Sequence, residues 1–138
     1  MQSKYVKFLQ FDLKSINWEE GQSIVYFDHK LNVQKDNIIK AKELCKTEIL
    51  IKNHPTKNSL EDEIEDSIKQ KRYAISMDKT IKWIDSKLQS EGYTKDNIMM
   101  MATGFILFAD VKAAQQLCDE VYSSCVELGQ PECQIIWG

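Results

Sequence analysis

The chain has little glycine and little proline, with five Gly and two Pro among its 138 residues. Because flexible linkers and low-complexity segments are usually rich in such residues, we expect neither here. No apolar run approaches the ~20 residues that a membrane-spanning helix needs. The first residues also lack the apolar core of a secretion signal. The sequence therefore predicts one domain over residues 1–138, located in the cytoplasm and without a membrane span.

A strongly basic surface is also missing. The formal net charge is -3, and the lysines alternate with acidic residues along the chain. Because a protein that follows a phosphate backbone needs clustered Lys and Arg, we expect no nucleic-acid partner. The sequence contains no Gly-rich phosphate loop, no Gly-x-Ser-x-Gly elbow and no His-Glu-x-x-His pair. These absences disfavour phosphate-loop nucleotide hydrolysis and simple serine or zinc hydrolysis.

The four cysteines lack the spacing of a structural zinc site, because no two of them form a Cys-x-x-Cys pair. Cys118 and Cys125 are seven residues apart and would lie on one face of a helix. We expect these two, together with Cys45 and Cys133, to be reduced thiols buried in the protein.

Hydrophobic periodicity divides the chain into alternating strands and helices. The patterns predict strands over residues 23–27, 48–52, 98–108 and 134–137, with 5–11 as a further candidate and an interruption at 102–104. They predict helices that begin near Asp36, Asn58 or Ser59, Asp78 and Asp110, the second reaching Arg72 and the third ending at Gly92. This alternation is typical of α/β folds, so we expect a mostly parallel or mixed sheet flanked by helices.

Asp28 is the first candidate functional residue. It follows the apolar run 24–27 directly, and ligands of open α/β folds bind at the carboxyl ends of the strands. A carboxylate at such a place can bind a divalent cation that bridges a diphosphate, or it can simply cap the following turn. The residue types alone leave both interpretations open.

His54 and Glu63 come from the middle of the chain. His54 lies in a loop after a predicted strand, where it would bind a hydroxyl or phosphate or transfer protons, or form an ordinary His-Pro turn with Pro55. Glu63 lies in the first turn of an acidic helix, where its charge would also match the helix dipole.

Further candidates come from the last third of the chain. Thr103 and Gly104 break an apolar run, and a glycine within a strand allows close approach of a ligand or another backbone, or marks a bulge. Gln134 begins the last predicted strand and can offer its amide to a ligand, or it is an exposed polar residue at a strand start.

Several short motifs occur in a fixed order along residues 4–137. They are Val25-Tyr26-Phe27-Asp28-His29-Lys30-Leu31, His54-Pro55, an acidic helix with Glu63, Glu91-Gly92-Tyr93, Thr103-Gly104-Phe105-Ile106-Leu107 and Gln134. In their order and spacing the chain resembles a GT-A-like glycosyltransferase family of bacteria, viruses and plants that was long catalogued as having unknown function. The resemblance implies a partial GT-A-like fold of the nucleotide-diphospho-sugar transferase kind, with 1–138 as its C-terminal part.

The resemblance also implies a reaction and its partners. Such enzymes move a sugar from a nucleotide-sugar donor to a glycan acceptor, often with Mn²⁺ or Mg²⁺. By resemblance, Asp28 would be catalytic and a metal ligand, and Lys30 would bind the donor diphosphate. Glu63 would be a second catalytic residue.

The remaining candidates would bind substrate by the same resemblance. His54 would line the donor or acceptor pocket beside the catalytic residues. Thr103 and Gly104 would lie next to the transferred sugar, and Gln134 would match the glutamine of a terminal Asp-Gln pair.

Three positions depart from the family pattern and keep other functions open. Ala102 stands where an acid is frequent, Phe108 where an arginine is typical, and Cys133 where the pair has Asp. The first strands of the usual fold also have no counterpart here. A truncated or catalytically degenerate relative would instead act as a non-catalytic interaction module that forms an oligomer or a partner complex. A small nucleotide-binding regulator is a third hypothesis.

Overall fold

The computed structural model describes residues 2–138 and the side chains of residues 3–138. Contacts within the chain separate two compact units. Unit 1 contains the described residues up to Lys52 together with Ala102–Tyr122, and unit 2 contains Asn53–Met101 and Ser123–Gly138. Each functional residue below is therefore placed within one unit or the other.

Helices and strands share the chain, which confirms the predicted α/β character. In chain order the elements are α1 Gln2–Lys7, β1 Ile24–Phe27, α2 Lys35–Leu44, β2 Ile49–Asn53, α3 Leu60–Ile68, α4 Lys71–Ala74, α5 Met77–Glu91, β3 Met101–Phe108, α6 Val111–Leu128 and α7 Cys133–Trp137. Short 3-10 turns lie at Leu13–Ile16 and Lys95–Asn97. Among the described residues, no helix is both long and apolar enough to cross a membrane.

The three strands form one sheet in the order β1-β3-β2, with β3 in the centre. β1 and β3 are antiparallel, with Ile24 opposite Phe108 and Phe27 opposite Phe105. The prediction of a mostly parallel or mixed sheet is therefore wrong. An alternation of strands and helices does not itself fix strand direction, because that depends on pairing between distant segments.

β2 also runs antiparallel to β3. The carbonyl of Glu48 accepts from the amide of Ala109 at 2.8 Å, while the amide of His54 donates to the carbonyl of Met100 at 2.8 Å. As the residue numbers rise along β2, those of the partner residues on β3 fall, which is the pattern of an antiparallel pair. β3 runs without a break through Gly104, so the expected interruption at 102–104 is also wrong.

The candidate strand over residues 5–11 is a helix and a turn instead. α1 ends before Phe8 and Leu9, which are both buried. Leu9 has a φ of 55°, a left-handed conformation that stops a helix. Burial of these two residues after the helix, rather than along a strand, accounts for the apolar character of the segment.

The predicted closing strand at 134–137 is α7. The side chain of Glu132 accepts from the amide of Gln134 at 3.2 Å and so caps the helix. Ile135 and Ile136 are consecutive and both buried. An isolated run of apolar residues does not distinguish a strand from a short buried helix, and here a capping carboxylate selects the helix.

Three predicted helix boundaries are confirmed by their capping contacts. The hydroxyl of Ser59 accepts from the amide of Asp62 at 3.2 Å at the start of α3. Gly92 ends α5 with a φ of 76°. Asp110 precedes α6, where its carboxylate accepts from the amide of Ala113 at 3.0 Å. These are local arrangements that sequence chemistry can specify.

Other helix boundaries differ from the predicted ones. α2 begins directly after Gln34 rather than after Asp36, and α5 directly after Ser76 rather than after Asp78. α3 ends at Ile68 rather than reaching Arg72, which lies in α4. The acidic first turn of α3 is present as predicted.

Each unit has its own buried apolar residues. The core cluster of unit 2 consists of Leu60, Ile64, Tyr73, Met77, Ile84, Met100 and Ile135. The buried residues of unit 1 include Phe8, Leu9, Ala41, Ile106, Leu107, Phe108, Val111, Ala114 and Cys118. All four cysteines are free, as predicted, and Cys118, Cys125 and Cys133 are buried, whereas Cys45 is half-buried.

Candidate functional site

Asp28 lies at the end of β1 and opposite Gly104 of β3. Its amide donates to the Gly104 carbonyl at 2.8 Å, so the β1–β3 pairing continues one residue past Phe27. A Cβ placed on Gly104 would stand 3.2 Å from Oδ2 of Asp28 and 3.6 Å from Cδ1 of Leu31. The glycine thus leaves the space that the Asp28 carboxylate occupies.

A buried lysine reaches the same carboxylate. Nζ of Lys7 lies 3.7 Å from Oδ1 of Asp28 and donates to the hydroxyl of Thr103 at 3.3 Å. It also lies 5.0 Å from the ring centre of Tyr26, whose hydroxyl donates to Oδ1 of Asp28 at 2.6 Å. We call Lys7, Tyr26, Asp28, Thr103 and Gly104 the Asp28 cluster; all five belong to unit 1.

The ion pair of the Asp28 cluster is asymmetric in its exposure. The side chain of Lys7 is 5% exposed, whereas that of Asp28 is 44% exposed. A buried ammonium needs a nearby negative charge or hydrogen-bond acceptors to offset its lost hydration. Asp28 supplies the charge for Lys7 while keeping part of its carboxylate in contact with solvent, where a ligand can reach it.

Lys30 lies in the turn that follows Asp28. The amide of Leu31 donates to the carbonyl of Asp28 at 2.9 Å and closes this turn. Lys30 is exposed, so its ammonium lies in solvent near the strand end. The turn therefore presents a mobile cation two residues from the half-exposed carboxylate.

The donor atoms around Asp28 do not suit a divalent cation. Mg²⁺ and Ca²⁺ are held by several hard oxygen ligands, but the charged neighbour of Asp28 is the ammonium of Lys7. Among residues 2–138, no group of three His, Cys, Asp or Glu side chains has the arrangement to hold a metal ion. Asp28 would thus be a lone carboxylate ligand, and its immediate positive partner is a lysine.

His54 follows β2 in unit 2 and forms a His-Pro turn. Its Nδ1 accepts from the amide of Lys57 at 3.0 Å and lies 3.3 Å from the amide of Thr56. Because backbone N–H groups can only donate, these contacts require a lone pair on Nδ1 and place the proton of the neutral ring on Nε2. His54 therefore stabilises its own turn and keeps an N–H for another group.

Glu63 is buried in α3 and carries a perturbed carboxyl. The hydroxyl of Ser67 donates to its Oε1 at 3.3 Å. Burial raises the pKa of Glu63, and the negative charge of Glu132 raises it further, while the charge of Lys57 opposes the increase. Carboxyl groups with raised pKa values are suited to proton transfer near neutral pH.

Glu132 connects Glu63 to α7 and to Tyr73. It is buried, and its carboxylate caps α7 through the amide of Gln134. Burial raises the pKa of Tyr73 to about 12, with the charge of Glu132 and a hydrogen bond to it as further causes. We call His54, Lys57, Glu63, Tyr73 and Glu132 the Glu63 cluster; all five belong to unit 2.

The predicted site residues thus fall into two groups. Asp28, Thr103 and Gly104 meet in unit 1, with Lys30 in the adjoining turn. The second group, His54, Glu63 and Gln134, belongs to unit 2. Within it, Glu132 acts on Glu63 through its charge and accepts from the amide of Gln134.

Sequence reasoning missed Lys7 and Glu132, which provide the principal charges beside Asp28 and Glu63. Lys7 stands in a chain with many exposed lysines, and its only local signal is the apolar pair Val6 and Phe8 on either side. Glu132 follows Pro131 in a loop, and its sequence neighbours do not reveal its burial.

Comparison with known proteins gives no relative: no protein-family model matches the chain, nor does any curated protein or any solved structure.

Proposed function

We propose that this chain is a glycosyltransferase-like protein that binds a nucleotide-sugar donor at the Asp28 cluster and transfers the sugar to a glycan. The observation that carries the proposal is the meeting of Asp28 and Gly104, two motifs of the family pattern that are far apart in sequence. The half-exposed carboxylate of Asp28 is suited to accept hydrogen bonds from sugar hydroxyls.

The charges near the end of β1 support recognition of a diphosphate. Transfer of a sugar leaves a nucleoside diphosphate, whose negative charge must be stabilised in the transition state. We assign this role to the exposed Lys30, which can move onto the phosphates. Lys7 is buried and instead positions Asp28, so we describe it as a positioning residue.

A metal ion is not required by this arrangement. Mn²⁺ or Mg²⁺, which the family resemblance implies, would find Asp28 as a lone carboxylate that already neighbours Lys7. Since Asp28 by itself, without oxygen atoms from a substrate, does not form a divalent-cation site, we route no step through a metal. The proposal therefore expects donor binding in the presence of a chelator.

We assign proton transfer to Glu63. A carboxyl with a raised pKa is suited to give or take a proton. The raised pKa of Glu63, caused first by burial and then by Glu132, supports this role. His54, with its proton on Nε2, and Gln134 are the proposed hydrogen-bonding residues of the same cluster.

The same proposal places the protein in the cytoplasm. Its four cysteines are free thiols, and three of them are buried. Buried reduced thiols are usual in compartments where glutathione and thioredoxin are active.

A thermal-shift screen tests donor binding. The protein is heated with UDP-, GDP-, ADP- and TDP-sugars at about 1 mM, each with a chelator and separately with Mn²⁺. At least one nucleotide sugar should raise the melting temperature of the parent more than its own nucleoside diphosphate does. Lys30→Ala and Asp28→Asn should lose that difference, whereas the exposed matched lysine variant Lys40→Ala should keep it.

Other outcomes of the screen decide against transfer. Equal shifts with a sugar nucleotide and its nucleoside diphosphate would support the nucleotide-binding regulator instead. A shift only with Mn²⁺ would overturn the metal-independent site. No shift with any donor would reject the proposal and leave a non-catalytic module.

The edge of the sheet favours that second candidate, an interaction module. Of the strands that the structure describes, β1 is an outer one, and it carries an exposed Phe27. An edge strand with an exposed apolar residue can pair with another chain. Light scattering after size exclusion should then give a dimer, and Val25→Pro should abolish it, because proline removes a donor from the strand edge. A monomeric parent at every concentration would contradict the homodimer.

A further inference from the structure

Two open cavities of unit 1 share Trp18. One has a volume of about 570 Å³ and lies between the loop around Trp18, the start of β1 and Lys42 of α2. The other has a volume of about 480 Å³ and extends from Trp18 to Gln115 of α6. Sites for small molecules commonly have volumes of roughly 300–1,000 Å³. Each cavity is therefore of ligand size, and we call the two together, on either side of Trp18, the Trp18 groove.

The indole ring of Trp18 is fixed before any ligand binds. Its Nε1 donates to the carbonyl of Gln22 at 2.8 Å, and the side chain of Gln22 accepts from the amide of Glu19 at 2.9 Å. Asn17 and Gly21 have φ values of 55° and 87°, which bend the loop on either side of the ring. Because the indole donor is already used, the ring offers a ligand its apolar surface. A fixed ring also reduces the entropic cost of binding.

The charges of the Trp18 groove select a neutral ligand. It contains two lysines, Lys14 and Lys42, and two carboxylates, Asp12 and Glu20, so their charges sum to zero. Lys112 pairs with Glu20 at 2.6 Å and adds one positive charge beside the lining. A surface with so small an excess of one charge concentrates phosphate or another ion only weakly. This separates it from the proposed diphosphate site near Lys30.

The uncharged polar residues of the groove are suited to a ligand that carries hydroxyl groups. Gln22, Ser23 and Gln115 line the cavities beside the Trp18 ring and can donate to and accept from hydroxyl groups. A neutral molecule that combines an apolar face with a rim of hydroxyl groups is a pyranose ring. We propose that the Trp18 groove binds a neutral oligosaccharide. That this oligosaccharide is the glycan acceptor rests on the proposed function, whereas its binding to the Trp18 groove does not.

Indole NMR signals test this proposal on the intact chain. The protein has three tryptophans, so a ¹⁵N spectrum contains a separate Nε1–H signal for each, assigned with Trp18→Phe and Trp83→Phe. The probes are cellotriose, chitotriose and mannotriose at about 10 mM, without nucleotide sugar. At least one should shift the Trp18 signal and leave the Trp83 and Trp137 signals in place. We expect a dissociation constant of about 1–10 mM.

Variants separate binding from folding. Gln115→Ala should weaken the affinity of the same probe at least about threefold, while Gln89→Ala, at a residue that does not line either cavity, should leave it unchanged; both keep the Trp18 signal as a check on the fold. No shift with any of the three trisaccharides would overturn the proposal, as would an equal shift of all three indoles. If the protein binds a trisaccharide but no nucleotide sugar, the oligosaccharide site is supported and the glycosyltransferase function is contradicted.

Discussion

Asp28 and Gly104 are 76 positions apart in sequence and directly opposite each other across the β1–β3 pair. The amide of Asp28 donates to the Gly104 carbonyl at 2.8 Å, and its Oδ2 lies 3.2 Å from the place of a Cβ on residue 104. The absent side chain and the carboxylate therefore share one space. This relationship holds Asp28 at the exposed end of the sheet.

Gly104→Ala should displace the Asp28 carboxylate. The new Cβ would be closer to Oδ2 than ordinary contacts allow, so the carboxylate has to move by a few tenths of an ångström. We expect a change in unfolding free energy of at most about 1 kcal/mol, since strain is partly offset by lower entropy of the unfolded chain. Donor binding, measured by calorimetry, should weaken about tenfold.

A double-mutant cycle shows whether this effect passes through Asp28. In an Asp28→Ala background, Gly104→Ala should have almost no further effect on donor affinity, because the crowded carboxylate is gone. An additive loss in the double variant would mean that Gly104 acts independently of Asp28.

Removal of either partner of the Lys7–Asp28 pair should have unequal effects on stability. Asp28→Ala leaves a buried ammonium without its counter-charge and should cost roughly 1–3 kcal/mol in urea unfolding. Lys7→Met leaves a carboxylate that solvent reaches, so its cost should stay within about 1 kcal/mol. The double variant should recover part of the Asp28→Ala loss. Equal costs for the two single variants would contradict the asymmetric burial.

The free energy of unfolding of Glu63→Gln, relative to that of the parent, should increase as the pH rises. Burial and the charge of Glu132 raise the pKa of Glu63 in the folded state above its ordinary value of 4.5. Between those two pKa values the folded chain binds more protons than the unfolded chain, so the free energy of unfolding falls as the pH increases. Glutamine removes this dependence and keeps an acceptor for Ser67.

Urea unfolding of parent and Glu63→Gln at pH values from 4 to 8 measures that difference. The exposed neighbour Glu61→Gln is the matched control and should show no such trend. A difference between Glu63→Gln and the parent that shrinks with rising pH would refute the raised pKa.

Thiol labelling should distinguish Cys45 from the other cysteines. Cys45 is half-buried, whereas Cys118, Cys125 and Cys133 are buried. Burial, with a smaller contribution from Asp119, raises the pKa of Cys118 to about 12, which keeps this thiol protonated and unreactive. In the native protein an aromatic disulfide should react quickly with one thiol, and Cys45→Ser should remove that phase. Fast reaction of more than one thiol per protein molecule would contradict the burial of Cys118, Cys125 and Cys133.

Local chemistry explains which parts of the fold the sequence predicts. Ser59, Gly92 and Asp110 mark helix ends because a hydroxyl, a missing Cβ or a carboxylate acts on its nearest backbone groups. The predicted strand directions were wrong, because strand direction depends on pairing with distant segments. The strand predicted at 134–137 was also wrong, because the buried side chain of Glu132 caps a helix there.

The candidate site likewise has features that the sequence predicts and features that depend on distant contacts. The strand-end position of Asp28 and the close approach that Gly104 allows follow from local patterns, and the structure brings them together. Lys7 could not be identified, because its burial depends on contact with Thr103, 96 residues away. Sequence spacing likewise does not reveal that the charge of Glu132 acts on Glu63.

Calorimetric titration with the nucleotide sugar that gives the largest thermal shift tests the central claim most directly. In a chelator, the parent should bind this donor at least about tenfold more tightly than Asp28→Asn or Lys30→Ala, a difference of about 1.4 kcal/mol. Equal affinity in all three proteins, or no measurable heat with the parent, would show that the end of β1 is not a donor site.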